Sequence, residues 1–481
     1  MTTAAGTAPH PIYLAGRWVD SPDQLLVERA GYPGELAGST FNATLAQYEE
    51  AVEAAVTAFD VTRRMAAYER AKVLHSISRG IRKRRDELGT LIATEAGKPI
   101  RDALAEVDRA VITFRLGAEE AERLTGEVIP LDIAPGSRGR LGVVRRFPIG
   151  PIAGISPFNF PLNLAAHKVA PAIASGNPIV LKPPSKDPLV MLVVAEIIDA
   201  AGAPPGSVSV LPMSREIGDR MVEDERFAML SFTGSPVVGW RMKARAGKKR
   251  IVLELGGNAG VIVDATGDLD WAARRCLMGA FAYAGQVCIS VQRMFVHEDV
   301  HDRFIDRFID GAKELVVGDP LDPRTDVGPM VDAAAVERTR RWVAEAVDRG
   351  ARVLLGGEPR GAFFPPTILE NVPRDASICT EEAFAPVVVL ETFREFEDAV
   401  ARVNDSRFGL QCGVFTNDLS HAWYGFDELH VGGVIVNDVP TYRVDHMPYG
   451  GVKDSGQGRE GLRYAIEDMT ELRTMVYAQP G

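Results

Sequence analysis

Cysteine is scarce in this chain, with 4 in 481 residues. Cys276, Cys288, Cys379 and Cys412 lie far apart and form neither CxxC pairs nor cysteine–histidine clusters. That spacing argues against a disulfide framework and against a metal site, and fits reduced thiols in a cytoplasm. Positive charge is also short, with 54 Lys and Arg against 65 Asp and Glu and a net charge of -11. An acidic surface does not attract nucleic acid or an anionic membrane, so neither is an expected partner. Apolar runs such as Met191-Leu-Val-Val194 fall far short of the roughly 20 residues that a membrane span needs. The opening Met1 to His10 has no basic start followed by an apolar run, so no signal peptide is read. The chain also lacks internal repeats and low-complexity stretches, and its first half lacks GxGxxG. The remaining expectation is a soluble protein whose partners are small molecules or copies of itself.

A chain this long exceeds one hydrophobic core, so two or three domains are expected. Alternation around Gly16 predicts a short hairpin over 11–20, and apolar spacing predicts helices near 43–60, 66–97 with a break, and 101–124. From Arg140 strand and helix signals alternate. Strands are expected at 141–148, 150–156, 178–182, 208–211, 229–232 and 250–254, with helices between most of them. That order is the signature of a doubly wound parallel sheet with its ligand off the carboxyl strand ends, and a dinucleotide is the default guest. A second α/β unit follows from about 260, with strands at 261–263, 293–296, 353–355, 387–390 and 413–415.

Several strand ends carry chemistry. Lys182-Pro-Pro-Ser185 offers an ammonium and a hydroxyl to a ribose, and Phe232-Thr-Gly-Ser235 opens a helix whose free N–H groups suit a pyrophosphate. Each alone reads first as a solvated turn, but two in one sheet favour a cofactor. Glu254 stands between leucines ahead of Gly256 and Gly257, a poorly solvated place that raises a carboxyl toward the range of a general base. Asn159, among aromatics and prolines in Ser156-Pro-Phe-Asn-Phe-Pro161, has an NH2 suited to an oxyanion. Cys288 sits in Gly285-Gln-Val-Cys288, where the residues before it leave room for a substrate to reach the sulfur. A lone cysteine is more often a small packed hydrophobe, and only this company makes Cys288 a candidate nucleophile.

Seven motifs stand in a familiar order: Pro157-Phe-Asn-Phe-Pro161, Gly176-Asn-Pro-Ile-Val-Leu-Lys-Pro183, Phe232-Thr-Gly-Ser235, Leu253-Glu-Leu-Gly-Gly-Asn258, Gly285-Gln-Val-Cys288, Glu381-Glu-Ala-Phe-Ala-Pro386 and Pro448-Tyr-Gly-Gly-Val-Lys-Asp-Ser-Gly456. With them the chain resembles the NAD(P)-dependent aldehyde dehydrogenase superfamily over nearly its whole length. The resemblance implies a Rossmann-type cofactor domain over 1–124 and 145–254, an α/β catalytic domain over 255–455, and a small β oligomerisation element from 125–144 and 462–481. It implies Cys288 as nucleophile, Asn159 with the Cys288 N–H as oxyanion holders, and Glu254 as the base that hydrolyses a thioester. NAD or NADP would be held by Lys182 and Ser185 at the adenosine ribose, Gly234 and Ser235 at the pyrophosphate, and Glu382 at the nicotinamide ribose with Phe384 beside it. A homodimer or homotetramer is implied, and no metal.

Ala385 and Phe158 depart from the glycine and tryptophan of many members without removing a functional group. Ser185 lacks the carboxylate that NAD-selective members often carry there, so NADP is permitted. The stretches 441–448 and 459–469 look most like the lactaldehyde, phosphonoacetaldehyde and non-phosphorylating glyceraldehyde-3-phosphate dehydrogenase branch, whose members take short, polar, often anionic aldehydes. Arg443 is a candidate partner for such an anion, with His167 assisting, although an arginine in a loop reads first as an exposed solvated charge. Phe160, where a phosphonoacetaldehyde enzyme is expected to have histidine, speaks against that substrate. A CoA-acylating enzyme, against which Glu254 argues, and a catalytically silent relative of the same fold are the alternatives.

Overall fold

The structure is a computed structural model and describes residues 8–478. The first seven residues, part of the stretch read for a signal peptide, and residues 479–481 of the expected oligomerisation element lie outside the described residues.

The expected alternation of strands and helices closes into two sheets. In the larger, the strands Ile152–Ile155, Ile179–Lys182, Val208–Val210, Met229–Thr233 and Arg250–Glu254 run parallel, and in chain order they occupy positions 3-2-1-4-5. This is a Rossmann-type arrangement. Its order reverses between Ile152–Ile155 and Met229–Thr233, and a crevice opens at the carboxyl ends of strands where the order reverses. The hairpin Ile12–Leu14 and Arg17–Val19 adds antiparallel strands at one edge, turning through Ala15 and Gly16 at φ 52° and 90°. Gly456–Gln457 closes the other edge against Arg250–Glu254.

The second sheet runs Arg352–Leu355, Thr367–Glu370, Val387–Phe393, Val291–His297, Ala259–Val263, Gln411–Phe415, Gly433–Val436, parallel except at its first pair. A small antiparallel sheet joins Glu127–Pro130, Arg140–Pro148 and the C-terminal Thr470–Ala478. The stretch 66–97 is two helices, Ala67–Lys83 and Arg85–Ala96. Sequence periodicity passed over the hairpin Asp23–Glu28 and Leu36–Asn42 and the helices Ala333–Asp348 and Leu419–Glu428. Both helices start at side-chain caps, Asp332 to the Ala335 N–H and Asp418 to the Ser420 and His421 N–H groups.

The helix Asn163–Ser175, which crosses from the first parallel strand to the second, is buried on every side. Leu162 has no side chain to cap it, so the first-turn N–H groups need an outside acceptor. Glu106, on the neighbouring helix Ile100–Glu122, supplies it: its Oε1 accepts from the Leu162 and Asn163 N–H groups at 2.9 and 3.0 Å. The other oxygen, Oε2, is paired with the fully buried Lys98 ammonium, which lies 3.5 Å from the centroid of the Phe160 ring. Glu95 does the same for the next crossover helix, Leu189–Ala200, accepting from Leu189 and Val190 at 2.8 and 3.0 Å. Carboxylates at helix N-termini are stabilised by the macrodipole as well as by the hydrogen bonds. Here they lock two crossover helices to the helical layer.

Breaking the Lys98–Glu106 pair by Lys98→Met strands a buried carboxylate and is expected to cost about 3–5 kcal/mol. Adding Glu106→Gln should recover part of that loss, since an amide oxygen still accepts the helix N–H groups. Urea denaturation of both variants checks the order.

Candidate active site

Three strand ends converge at the crevice. From Ile152–Ile155 the chain enters Ser156–Pro161, where Asn159 is 3% exposed and donates from Nδ2 to the Gln286 carbonyl at 3.1 Å. That carbonyl lies two residues before Cys288. From Met229–Thr233 the chain reaches Gly234, whose N–H donates to the Glu254 carbonyl at 3.0 Å, and exposed Ser235 opens the helix Pro236–Arg245. From Arg250–Glu254 the chain places Glu254 in the interior.

The segment before the thiol is strained. Tyr283, Ala284 and Gly285 take φ of 51°, 53° and 67° in succession, a left-handed run that costs non-glycine residues about 1–2 kcal/mol each. It persists because neighbours over-determine it. The Tyr283 hydroxyl donates to the Ala96 carbonyl at 2.7 Å. The Gln286 amide donates to the Pro329 carbonyl at 3.2 Å and accepts from the Val331 N–H at 2.7 Å. Gln286 is thus a fully buried clamp rather than a residue that makes room, which corrects the sequence reading.

Cys288 itself is partly exposed, whereas Cys276, Cys379 and Cys412 are buried. Burial pushes its thiol up to about 12, and the Tyr449 hydroxyl, 2.9 Å from Sγ, pulls it back. Glu254 is 3% exposed, and neither carboxylate oxygen has a hydrogen-bond partner. Its carboxyl is held well above the usual range by burial and by the nearby Glu460, with Arg443 and Lys168 acting against them. Gly450 passes so close that an added Cβ would stand 2.8 Å from Glu254 Oε1.

Beneath these groups lies a charge network that sequence reasoning missed. Lys168, on the buried helix, donates to Thr233 Oγ1 at 2.7 Å and reaches Glu460 Oε1 at 3.5 Å. Arg443 donates to Glu460 Oε2 at 2.8 Å and stacks 3.8 Å above the Tyr449 ring. Its side chain is 6% exposed, so it is no solvated surface charge. Asp445 gathers Arg109 Nη2 at 2.7 Å, Asn163 Nδ2 at 3.0 Å and His167 Nε2 at 2.9 Å. Burial works to raise the Asp445 carboxyl, but the bond to His167 and the charge of Arg109 hold it far below the carboxylate range.

Of the expected cofactor residues, Lys182, Ser185, Gly234 and Ser235 follow carboxyl ends of strands in the larger sheet, and Glu382 and Phe384 precede the strand Val387–Phe393 of the second. Lys182 donates to Ser185 Oγ at 3.3 Å, and its alkyl chain runs over Gly218. Burial and the charge of Arg215 lower the Lys182 ammonium to about 8. Glu382 accepts from the Gly257 N–H at 3.0 Å, and burial raises its carboxyl to about 7. An added Cβ on Gly256 would collide with the Glu382 carboxylate, so the glycines after Glu254 are required by close approach. Phe384, at φ 48°, meets Phe158 edge to face at 5.8 Å. These residues suit a dinucleotide: a cation and a hydroxyl at one strand end, open helix N–H groups at the next, and a carboxylate next to the thiol's neighbours.

A partly exposed thiol beside an amide and a buried carboxylate, on a Rossmann-type sheet, fits a nucleotide-dependent oxidoreductase. The model of the aldehyde dehydrogenase family matches residues 18–475. The chain belongs to that family, and its activity is the NAD(P)-dependent oxidation of an aldehyde. It is 43% identical over 477 residues to the 3-sulfolactaldehyde dehydrogenase of Priestia aryabhattai, covering 99% of each chain. The structure of aldehyde dehydrogenase 21 from Physcomitrella patens, in complex with the reaction product succinate, superposes with a TM-score of 0.96 at 46% identity, covering 98% of this chain and 99% of that one. A glyceraldehyde-3-phosphate dehydrogenase of Methanocaldococcus jannaschii complexed with NADP gives a TM-score of 0.90 at 40% identity, covering 95% and 99%.

Gly285 has no space for a side chain, since an added Cβ would strike the Ala385 carbonyl. Gly285→Ala is expected to destabilise the protein by about 1–3 kcal/mol, the cost of a strained backbone position. It should also lower turnover by misplacing Cys288, as thermal melting and aldehyde-dependent cofactor reduction would show.

Proposed function

We propose that this enzyme oxidises a short aldehyde with an anionic group at its far end to the acid, through a thioester on Cys288. The observation that carries the reading is the meeting of a thiol, an amide and an unpaired buried carboxylate where the sheet order reverses. In this mechanism the Cys288 sulfur bonds to the aldehyde carbon while Asn159 Nδ2 and the Cys288 N–H hold the oxygen that gains charge. When bound, the dinucleotide supplies the hydride acceptor. Glu254 then takes a proton from the water that attacks the acyl group on sulfur, and a carboxyl raised by burial and by Glu460 is a stronger base for that task. Lys168 and Arg443 act against the rise that burial and Glu460 impose on Glu254.

Arg109 supports an anionic substrate, because its guanidinium lies 5.9 Å from the centroid of the Phe160 ring, in the loop that carries Asn159. The Priestia relative is named for a sulfonated aldehyde, and the Physcomitrella structure holds a dicarboxylate product. For the dinucleotide we favour NADP: Lys182, Arg215 and Ser185 form a cationic patch without a carboxylate to repel a 2′-phosphate. We assign the larger sheet to the cofactor domain and the seven-stranded sheet to the catalytic domain. The protein is read as a cytoplasmic homodimer or homotetramer. Leu472, Met475 and Val476, each more than half exposed on the C-terminal strand, support self-association through the small sheet.

Cofactor reduction measured with sulfolactaldehyde, succinate semialdehyde, lactaldehyde and an uncharged aldehyde of equal length tests the reading. The anionic aldehydes should give the higher kcat/KM, and equal values for the uncharged one would overturn the substrate class. Cys288→Ala should abolish oxidation and leave cofactor binding intact. Glu254→Gln should keep a burst of reduced cofactor and lose steady turnover, with no rise in rate toward alkaline pH; in the unmodified enzyme turnover rises as pH climbs through the raised Glu254 value and the carboxylate forms. An absolute requirement for CoA would instead place the enzyme among acylating dehydrogenases. Ser185→Glu should weaken NADP binding tenfold or more while sparing NAD, read by titrating the fluorescence of the reduced cofactors.

A further inference from the structure

The Cys288–Tyr449 contact has no part in the scheme above. Tyr449 is 3% exposed, and its hydroxyl lies 2.9 Å from Cys288 Sγ. Its ring packs with Ile289 and Leu410 against Val287 and Cys288, and its backbone pairs in both directions with Glu460, at 3.0 and 2.6 Å. Above the ring lies the Arg443 guanidinium, itself fixed by Glu460. The phenol is therefore held from three sides and has little freedom to turn away from the sulfur.

We propose that Tyr449 is a catalytic residue of this enzyme, whose hydroxyl donates a hydrogen bond to Cys288 Sγ and stabilises the thiolate that attacks the aldehyde. The proposal rests on Cys288 being the nucleophile. A thiolate has no proton, so the bond to it has one possible donor, the phenol. Burial keeps the phenol protonated far into alkaline pH, and the Arg443 cation over its ring strengthens it as a donor. A hydrogen bond to the charged form favours that form, which is what a thiol disfavoured by burial needs. The proton lost by Sγ passes to water at the exposed side of the site. A sulfur lone pair forms the C–S bond, the carbonyl π pair moves to oxygen beside Asn159, and Tyr449 keeps its own proton throughout. As the sulfur's charge leaves for the oxygen, the hydroxyl's hold on it weakens. Tyr449 thus helps most before attack, and it sets the pH at which the enzyme is armed.

The test is Tyr449→Phe, which removes the hydroxyl and keeps the ring beneath Arg443. Alkylation by iodoacetamide reports the thiolate of Cys288, since the other cysteines are buried, and Cys288→Ala supplies the blank. At pH 8 the Phe variant should react about tenfold more slowly, which is a shift of one pH unit in the thiol, with an unchanged melting temperature and unchanged NADP binding. From pH 7 to pH 10, below the raised ionisation of the thiol, the factor should stay the same. Equal rates from pH 7 to pH 10 would overturn the proposal and leave Tyr449 a packing residue. A slowing whose size differs between iodoacetamide and the bulkier N-ethylmaleimide would also overturn it, because that pattern reports access rather than ionisation. Failure of the parent reading has a different signature: aldehyde oxidation that survives in Cys288→Ala.

Discussion

Glu106 ties the helical layer to the chemistry. One carboxylate holds the Lys98 ammonium and the first N–H groups of the helix Asn163–Ser175. That helix has no cap of its own and no exposed face, so its position depends on this acceptor. Lys168 and His167 ride on it, and through them the acidic groups Glu460 and Asp445 are set. A displacement of one turn at the helix start would therefore be felt at Glu254, although Glu106 touches none of the reacting groups.

The charges below the thiol form a chain in which each member limits the next. Glu460 is shared between Lys168 and Arg443, and these two cations keep it ionised against burial. Their charge is largely spent on Glu460, which leaves Glu254 without a direct partner and with a high affinity for protons. A base that must exchange protons with water gains from that isolation, whereas a permanent ion pair would hold it ionised and weaken it. Packing supplies the counterpart: Gly450 and Gly256 let backbone approach Glu254 and Glu382 where any side chain would intrude.

What could be read from the sequence followed the range of the interactions. Parallel strands, their order of succession and the residues at their ends declare themselves locally, through short apolar runs followed by Gly, Asn, Ser or Lys. Asn159, Lys182 and Glu254 were placed at such ends, and the structure has them there, whereas Cys288 and Glu382 stand ahead of strands. Lys168 and Glu460 are separated by 292 positions, and nothing local in either marks the pairing. Arg443 read as a surface charge because a lone arginine in a loop has no visible partner; Glu460 and Tyr449, 17 and 6 positions on (460 − 443, 449 − 443), bury it. Gln286 misled in the opposite sense, since a polar residue before a nucleophile suggests openness while its amide is consumed by Pro329 and Val331.

The order in which the site is assembled along the chain has a consequence for synthesis. Glu254 and Cys288 leave the ribosome early, but Arg443, Tyr449 and Glu460 belong to the last tenth of the chain. The strand Gly456–Gln457 that seals the edge beside Glu254 is also made late. Until that segment folds back, the thiol lacks its phenol neighbour and the carboxylate lacks its cationic surroundings. A nascent or truncated polypeptide therefore carries an unassembled centre, and the nucleophile gains its neighbour only as Tyr449 and the strand Gly456–Gln457 fold back onto the sheet.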